Sequence, residues 1–145
     1  MSPLEWELAL TVHVVIEQSS ELRGAGGDSV VMIAFGGHAT GAYFEGEVLP
    51  GGIDTQIISP SGDRHTLSAR YMLRGQDYTG ASCELYIENN GSIAPGTLEN
   101  GALFRTYPRL ITNSEALSHW NHAMLVGEGF PTETGVEIRI YRWVG

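Results

Sequence analysis

The stretch GVEIRIYRWV, residues 135 to 144, decides the fold, because apolar and charged side chains alternate along it more cleanly than elsewhere. Ile138 and Ile140 share one parity, and Glu137 and Arg139 share the other. A period of two is typical of a strand with one buried face. The stretch therefore predicts a β-strand whose apolar side joins a core.

The same alternation recurs over most of the chain, in short β-branched runs separated by turn residues such as SPSGD at 59 to 63. Pro108 interrupts one of these runs and marks it as an edge or a bulge. The predicted strands are 6–16, 28–37, 42–49, the run after the Pro-Gly-Gly turn at 50–52, 64–74, 82–89, 102–112 and 135–144.

Short, regularly spaced strands with almost no helix indicate a sandwich or a barrel. We favour an all-β, single-domain antiparallel β-barrel over residues 1–145, because closure removes sheet edges and leaves an interior for one compact ligand. Thr112 and Glu115 have the spacing of a capping box and predict one short helix, the alternative being a polar loop. Which strand face lines the interior stays open, because a one-residue slip exchanges the faces.

The composition excludes several classes of partner. A net charge of -9 without a basic cluster disfavours nucleic acid. No apolar run approaches the roughly 20 residues of a membrane-spanning helix. Cys83 is the only cysteine, which suits a reducing compartment, and its strand context predicts a small buried side chain. We expect a soluble cytoplasmic protein that binds neither nucleic acid nor a membrane.

One strand carries an unusual pair of polar residues. In LPGGIDTQIIS, residues 49 to 59, Asp54 and Gln56 recur at a spacing of two and so share a face. Such a face usually meets solvent. If it meets an apolar interior instead, desolvation raises the pKa of Asp54 and makes it an acid or base near neutral pH.

Several motifs occur in an order typical of one family: GEVLPGGIDTQ (46–56), ARYMLR (69–74), LYIENNG (85–91), FRTYPRLIT (104–112) and VEIRIYR (136–142). The chain resembles the family named domain of unknown function 3237 (DUF3237) over nearly its whole length. The resemblance implies a compact β-barrel that forms homo-oligomers and uses no cofactor. Fungal members in natural-product pathways look like cofactor-free cyclases that add a hydroxyl to an alkene.

Two positions depart from the family pattern. Members commonly have Trp between the Asp and the Gln of the Pro-Gly-Gly strand, where this chain has Thr55. Many also read Trp-Leu-Asn where this chain reads His119, Trp120 and Asn121. Such changes reshape a pocket more than a fold, so they predict a substrate unlike that of the commonest members.

The remaining candidate residues are assigned by strand parity and by the resemblance. Tyr71 belongs to a smoother apolar set than Arg70, so it is predicted to line the interior. Asn89 matches the family and is predicted to orient a substrate oxygen. Arg105 is either a partner for a buried carboxylate or for a phenolate oxygen of the substrate, or a surface arginine on an edge strand. Trp120 is assigned to substrate binding.

Acids and histidines elsewhere offer weaker chemistry. Glu47 is able to approach Asp54 across the turn, and Glu88 lies on the opposite face from Asn89, but both are expected in solvent. His119 and His122 are three residues apart, which is a weak metal signal without a third ligand, so no metal is expected. His119 occupies the family's aromatic position and is predicted to act as an acid or base.

The residues lead to one predicted function and one rival. The first is a cofactor-independent cyclase or isomerase of a small aromatic or prenylated natural product, with Asp54 and His119 moving protons. Gln56, Tyr71, Asn89, Arg105 and Trp120 then bind the substrate. The rival is a barrel that binds a small ligand without changing it. A third possibility is a structural oligomer whose cavity is filled by its own side chains. Large apolar groups fall on both parities of the C-terminal strand, which predicts a homodimer or larger homo-oligomer.

Overall fold

A computed structural model describes residues 5–93, 96 and 98–145 of the chain. It contains ten strands and one short 3-10 helix, Ser118–His122. The strands are β1 (Trp6–Leu22), β2 (Ser29–Thr40), β3 (Phe44–Val48), β4 (Gly52–Ile58), β5 (His65–Asp77), β6 (Ser82–Ile93), β7 (Phe104–Thr106), β8 (Arg109–Thr112), β9 (Leu125–Pro131) and β10 (Gly135–Trp143).

The strands close into an antiparallel barrel, which confirms the predicted fold class. Hydrogen bonds run in the order β5, β4, β2, β1, β10, β9, β7 and β6, and the pairing of β6 with β5 completes the ring. At two positions in the ring, two shorter strands lie end to end in place of one long strand. These are β3 with β4, between β2 and β5, and β8 with β7, beside β6.

Alternation along each strand separates the barrel interior from its outer face. On β5, Leu67, Ala69, Tyr71 and Leu73 are buried, whereas Arg70 is exposed. The prediction that Tyr71 and not Arg70 faces inward is therefore confirmed. Cys83 is buried, as predicted.

The outer face carries the aromatic residues of the C-terminal strand. Ile138 and Ile140 are buried, which places Tyr141 and Trp143 on the outside, with Trp143 39% exposed and directly opposite Trp6 on β1. Such exposed aromatic side chains are compatible with an interface. The predicted homo-oligomer stays a prediction.

The structure corrects three expectations from the sequence, which concern a missed strand, the helix cap and the start of the short helix. β9 was not predicted, because glycine at 127 and 129 breaks its apolar pattern. Residue 112 is a strand residue and caps no helix, since the Thr112 hydroxyl donates to the backbone oxygen of Glu84. The short helix begins later, at Ser118. Pro108 does divide the 102–112 run, as predicted, into β7 and β8.

One end of the barrel is closed by the segment that follows β8. Leu117 and Trp120 are fully or almost fully buried there, and the Trp120 ring meets the Tyr43 ring edge to face with centroids 6.2 Å apart. The other end, near residues 54–56 of β4, keeps an internal cavity. None of the helical residues among those described forms a segment long and apolar enough to cross a bilayer.

Candidate functional site

A cavity of about 240 Å³ lies inside the barrel at the end opposite the short helix. Its walls are mostly apolar. The side chains that form them include Val14, Ile16, Ile33, Phe35, Phe104 and Ile138. Three polar side chains, those of Asp54, Gln56 and Asn89, also line it. An apolar cavity with a few convergent polar groups is the usual form of a small-molecule site.

Asp54 and Gln56 both face this cavity from β4, as their shared parity requires. The Gln56 Nε2 group donates to Asp54 Oδ2 over 2.8 Å. The other carboxylate oxygen, Asp54 Oδ1, is buried and has no hydrogen-bond partner among the described residues. The pair therefore lines the interior cavity, as predicted, with both residues half-buried.

Burial raises the pKa of the Asp54 carboxyl above the ordinary aspartate value. The hydrogen bond from Gln56, the nearby Ser68 backbone and the charge of His65 act in the opposite direction but do not cancel the desolvation. A carboxyl whose pKa is raised in this way is a better proton donor near neutral pH than an exposed aspartate.

Asn89 lies at the same level of the barrel as Asp54. The register pairs Asp54 with Ala69 and Ala69 with Asn89, so one residue of β5 separates the two side chains. Asn89 is 0% exposed, and neither Nδ2 nor Oδ1 has a hydrogen-bond partner within the described chain. Because almost every buried amide in a native protein is hydrogen-bonded, this unpartnered amide is a candidate contact for a ligand.

Thr106 adds a third unpartnered polar group close to Asn89. Its Oγ1 atom is buried and makes no hydrogen bond to any described residue. Gly127 leaves room beside both side chains, because a Cβ atom there would lie 2.4 Å from Thr106 Oγ1 and 3.5 Å from Asn89 Oδ1. A side chain at this position would therefore collide with the Thr106 hydroxyl.

Tyr71 lies one step beyond Ala69 toward the closed end and does not line the cavity. Its ring contacts the Phe35 ring edge to face at 5.2 Å, and Phe35 forms part of the cavity wall. Burial raises the pKa of the Tyr71 phenol strongly, so the phenol stays protonated. The expectation that Tyr71 shares the cavity lining with Asp54 is wrong, because Phe35 occupies that place.

Three other predicted site residues lie outside the cavity. Arg105 is exposed on the outer face, where its Nη2 donates to Glu128 Oε2 over 2.8 Å, because Phe104 and Thr106 take the inward parity of β7. His119 is exposed and Trp120 is buried at the closed end. Their assignment to the Asp54 site is corrected, since the short helix packs at the other end of the barrel.

The alternative acids are also remote from the cavity. Glu47 is exposed on β3. Glu88 faces outward, within 3.4 Å of Arg70 and 3.7 Å of Arg109. Within residues 5–93, 96 and 98–145, no group of three His, Cys, Asp or Glu side chains is placed to hold a metal ion.

Sequence reasoning missed His65, the first residue of β5. Its Nε2 atom lies 2.7 Å from Gln56 Oε1, so a chain of hydrogen bonds joins His65 to Asp54 through Gln56. His65 has the same parity as Leu67 and Ala69. That parity was the available signal, but the pairing of β4 with β5 was needed to bring His65 next to Gln56.

Comparison with known proteins supports the resemblance seen in the motifs. A protein of Clostridium acetobutylicum described as UPF0311 is 54% identical over 55 residues, which are 38% of this chain. The match spans about a third of that relative's length, 32%. A crystal structure of a C. acetobutylicum protein of unknown function superposes with a TM-score of 0.81 at 26% identity, covering 99% of both chains.

An enzyme from Penicillium herquei has the same fold, with a TM-score of 0.71 at 16% identity over 99% of this chain and 97% of the enzyme. The family model described as "Protein of unknown function (DUF3237)" matches residues 4–143. Because that match takes in nearly the whole chain, the protein belongs to the DUF3237 family.

Proposed function

We propose that the protein is a cofactor-independent cyclase that closes an oxygen ring by adding a hydroxyl group to an alkene of the same molecule. The observation that carries the proposal is that Asp54 and Asn89 line the same cavity. Both present buried polar atoms, without partners among the described residues, to one apolar-walled cavity. Leaving such atoms unpaired costs free energy that a ligand would recover.

The cavity suits a small and uncharged substrate. Its volume of about 240 Å³ is below the ~300 to 1,000 Å³ of typical drug-sized sites. The described residues that line it include a carboxyl group but no lysine or arginine, which disfavours carboxylate and phosphate ligands. A phenol or alcohol with an apolar alkenyl chain, such as a prenyl group, matches both properties.

A single carboxyl group is sufficient for the chemistry. Protonated Asp54 gives its proton to one alkene carbon, and the hydroxyl oxygen bonds to the other carbon. The oxonium then returns a proton to the Asp54 carboxylate. One C–H and one C–O bond form while the π bond and the O–H bond break, so product and substrate are isomers. In this proposal Asn89, which lines the same cavity, holds the hydroxyl oxygen.

The Penicillium herquei enzyme supports catalysis only through its fold, because 16% identity does not carry residue roles across. One observation favours the rival, a barrel that binds its ligand unchanged. With Arg105 and His119 outside, Asp54 is the one titratable side chain among the described residues lining the cavity. In that case Asp54 and Asn89 serve as hydrogen-bonding groups.

The test uses two probes, an ortho-prenylated phenol for ring closure and naphthol fluorescence for binding. The product is a dimethylchroman of the same mass, which chromatography separates from the phenol. Asp54→Asn should lower the turnover number by about 10²- to 10⁴-fold while naphthol binds as before, because the amide cannot titrate. Asn89→Leu should lose binding while the barrel stays folded.

Glu47→Gln is the matched control, since it neutralises an exposed acid of the neighbouring strand, and it should behave as wild type. Binding without any ring closure in the wild type would favour the rival. Near wild-type turnover in Asp54→Asn would remove the acid–base role. Naphthol that binds Asn89→Leu as well as wild type would place the site elsewhere.

A further inference from the structure

The hydrogen bonds among Asp54, Gln56 and His65 lead from the cavity toward the surface. Gln56 Nε2 is 2.8 Å from Asp54 Oδ2, and Gln56 Oε1 is 2.7 Å from His65 Nε2. His65 is half-buried and also lines a separate cleft together with Asp28, Asp63 and Arg64. Both ends of the Gln56 amide are thus bonded to protein side chains. Gln56 is therefore poorly placed for the role predicted from the sequence, which was to bind the substrate.

The orientation of the Gln56 amide depends on His65. Gln56 Oε1 only accepts, so His65 Nε2 must carry the hydrogen and donate. The amide NH₂ group then points at Asp54 Oδ2, which must accept. Whenever Asp54 is protonated in this arrangement, its proton is on Oδ1, the buried oxygen that has no partner in the described structure.

The reverse orientation would hide that proton. If the amide turned over, Gln56 Oε1 would face Asp54 Oδ2 and would accept a proton held there. Oδ1 would then be an acceptor only, and the carboxyl group would have no hydrogen left to donate to a substrate. The two orientations therefore differ in which carboxyl oxygen carries the proton.

We propose that His65 is a positioning residue which, through Gln56, keeps the Asp54 proton on Oδ1, the oxygen that has no partner in the described structure and can therefore donate to a substrate. The inference rests on the proposed function for its catalytic consequence but not for its geometry. The charged groups that face His65 are Arg64, Asp63 and Asp28 across the cleft, with Asp54 reached through Gln56. Asp63 is bound by the hydroxyls of Ser59 and Ser61.

Two NMR measurements test the geometry without any substrate. Nitrogen-15 shifts of the His65 ring should show the tautomer with hydrogen on Nε2. The carbon-13 titration of the Asp54 carboxyl should have its midpoint at higher pH in His65→Leu than in wild type. In that variant Gln56 is free to turn and accept the Asp54 proton, and the carboxylate loses a donor held in place.

The matched control is His119→Leu, which removes an exposed histidine at the other end of the barrel and should leave the Asp54 midpoint unchanged. His65→Gln retains an amide N–H donor and should restore the wild-type midpoint. An unchanged midpoint in folded His65→Leu, or a neutral His65 ring with hydrogen on Nδ1, would overturn the proposal.

Kinetics with the ortho-prenylated phenol test the catalytic consequence. His65→Leu should lower kcat about tenfold, the effect of one well-placed hydrogen bond, while KM stays within about twofold. His65→Gln should recover most of that loss. A rise in KM with unchanged kcat would contradict the positioning role. If no variant closes the ring but the Asp54 midpoint moves as expected, the proposed reaction fails and the positioning of Asp54 stands.

Discussion

Asp54 and Asp77 are acids that face the interior at opposite ends of the same barrel. The β5 residue paired with Asp54 is Ala69, eight positions before Asp77, which corresponds to about 26 Å along a strand. Asp77 accepts hydrogen bonds from Thr79, Ala81 and Ser114, and these lower the pKa of its carboxyl. Asp54 accepts fewer, and burial raises its pKa.

The polar groups around the two acids also differ in how many hydrogen bonds they make to the protein. At the closed end the Ser114 hydroxyl donates to Asp77 and accepts from the backbone N–H of Leu117. The Asn121 side chain accepts from the backbone N–H of Thr112 and donates to the backbone oxygen of the same residue. At the cavity end the side chain of Asn89 has no partner among the described residues. The closed end uses its polar groups to fix a loop, whereas at the cavity end Asp54 Oδ1, Thr106 Oγ1 and the Asn89 amide have no partner among the described residues.

Removal of a large side chain should produce the largest difference between the ends. Trp120→Ala opens a void in a fully packed region and should lower the free energy of unfolding by about 3–5 kcal/mol. Ile33→Ala enlarges a cavity that already exists, so we expect a loss of about 1 kcal/mol. Urea unfolding of both variants provides the measurement. Equal losses would mean that the cavity end is as tightly packed as the closed end.

Removal of a hydroxyl group gives a smaller but sharper comparison. Ser114→Ala leaves Asp77 and the Leu117 N–H short of a partner and should cost about 1–3 kcal/mol in thermal or urea unfolding. Thr106→Val removes a hydroxyl that bonds no described residue, so stability should change by less than about 0.5 kcal/mol or increase. A large loss in Thr106→Val would show that its hydroxyl has a structural partner.

The smallest expected effect is the pH dependence of stability. The folded-state pKa of Asp54 is raised, so the folded chain holds a proton that the unfolded chain releases above about pH 3.9. This contribution to stability falls as the pH rises. Asp54→Asn should therefore stabilise the protein at pH 7, by at most about 1 kcal/mol, and not at pH 3.

Asp77 should show the opposite sign, because its folded-state pKa is lowered. Its contribution is present above the unfolded value of about 3.9 and is lost as the pH falls through the lower folded value. Asp77→Asn should therefore destabilise the protein more at pH 7 than at pH 3. Denaturant unfolding of both variants at the two pH values measures the change in the free energy of unfolding. A change of the same sign in both variants would contradict the predicted difference between the two acids.

The sequence alone determined most of the strands, with β9 as the exception, and the grouping of residues within each predicted strand. Alternation in GVEIRIYRWV separated Ile138 and Ile140 from Tyr141 and Trp143, and the same rule paired Asp54 with Gln56 and set Tyr71 apart from Arg70. These are local properties, because a side chain and its second neighbour on a strand must share a face. The ordered motifs were likewise sufficient to identify the family.

Only the tertiary structure decided which face and which end of the barrel each group occupies. Asp54, Asn89 and His65 meet through the pairing of β4 with β5 and of β5 with β6, and no local pattern specifies such contacts between distant segments. The pairing of β7 with β6 and β9 likewise turned Arg105 outward, and the short helix placed His119 and Trp120 at the far end. Spacing along the chain defines a face of a strand, but position along the barrel axis depends on the register of all its neighbours.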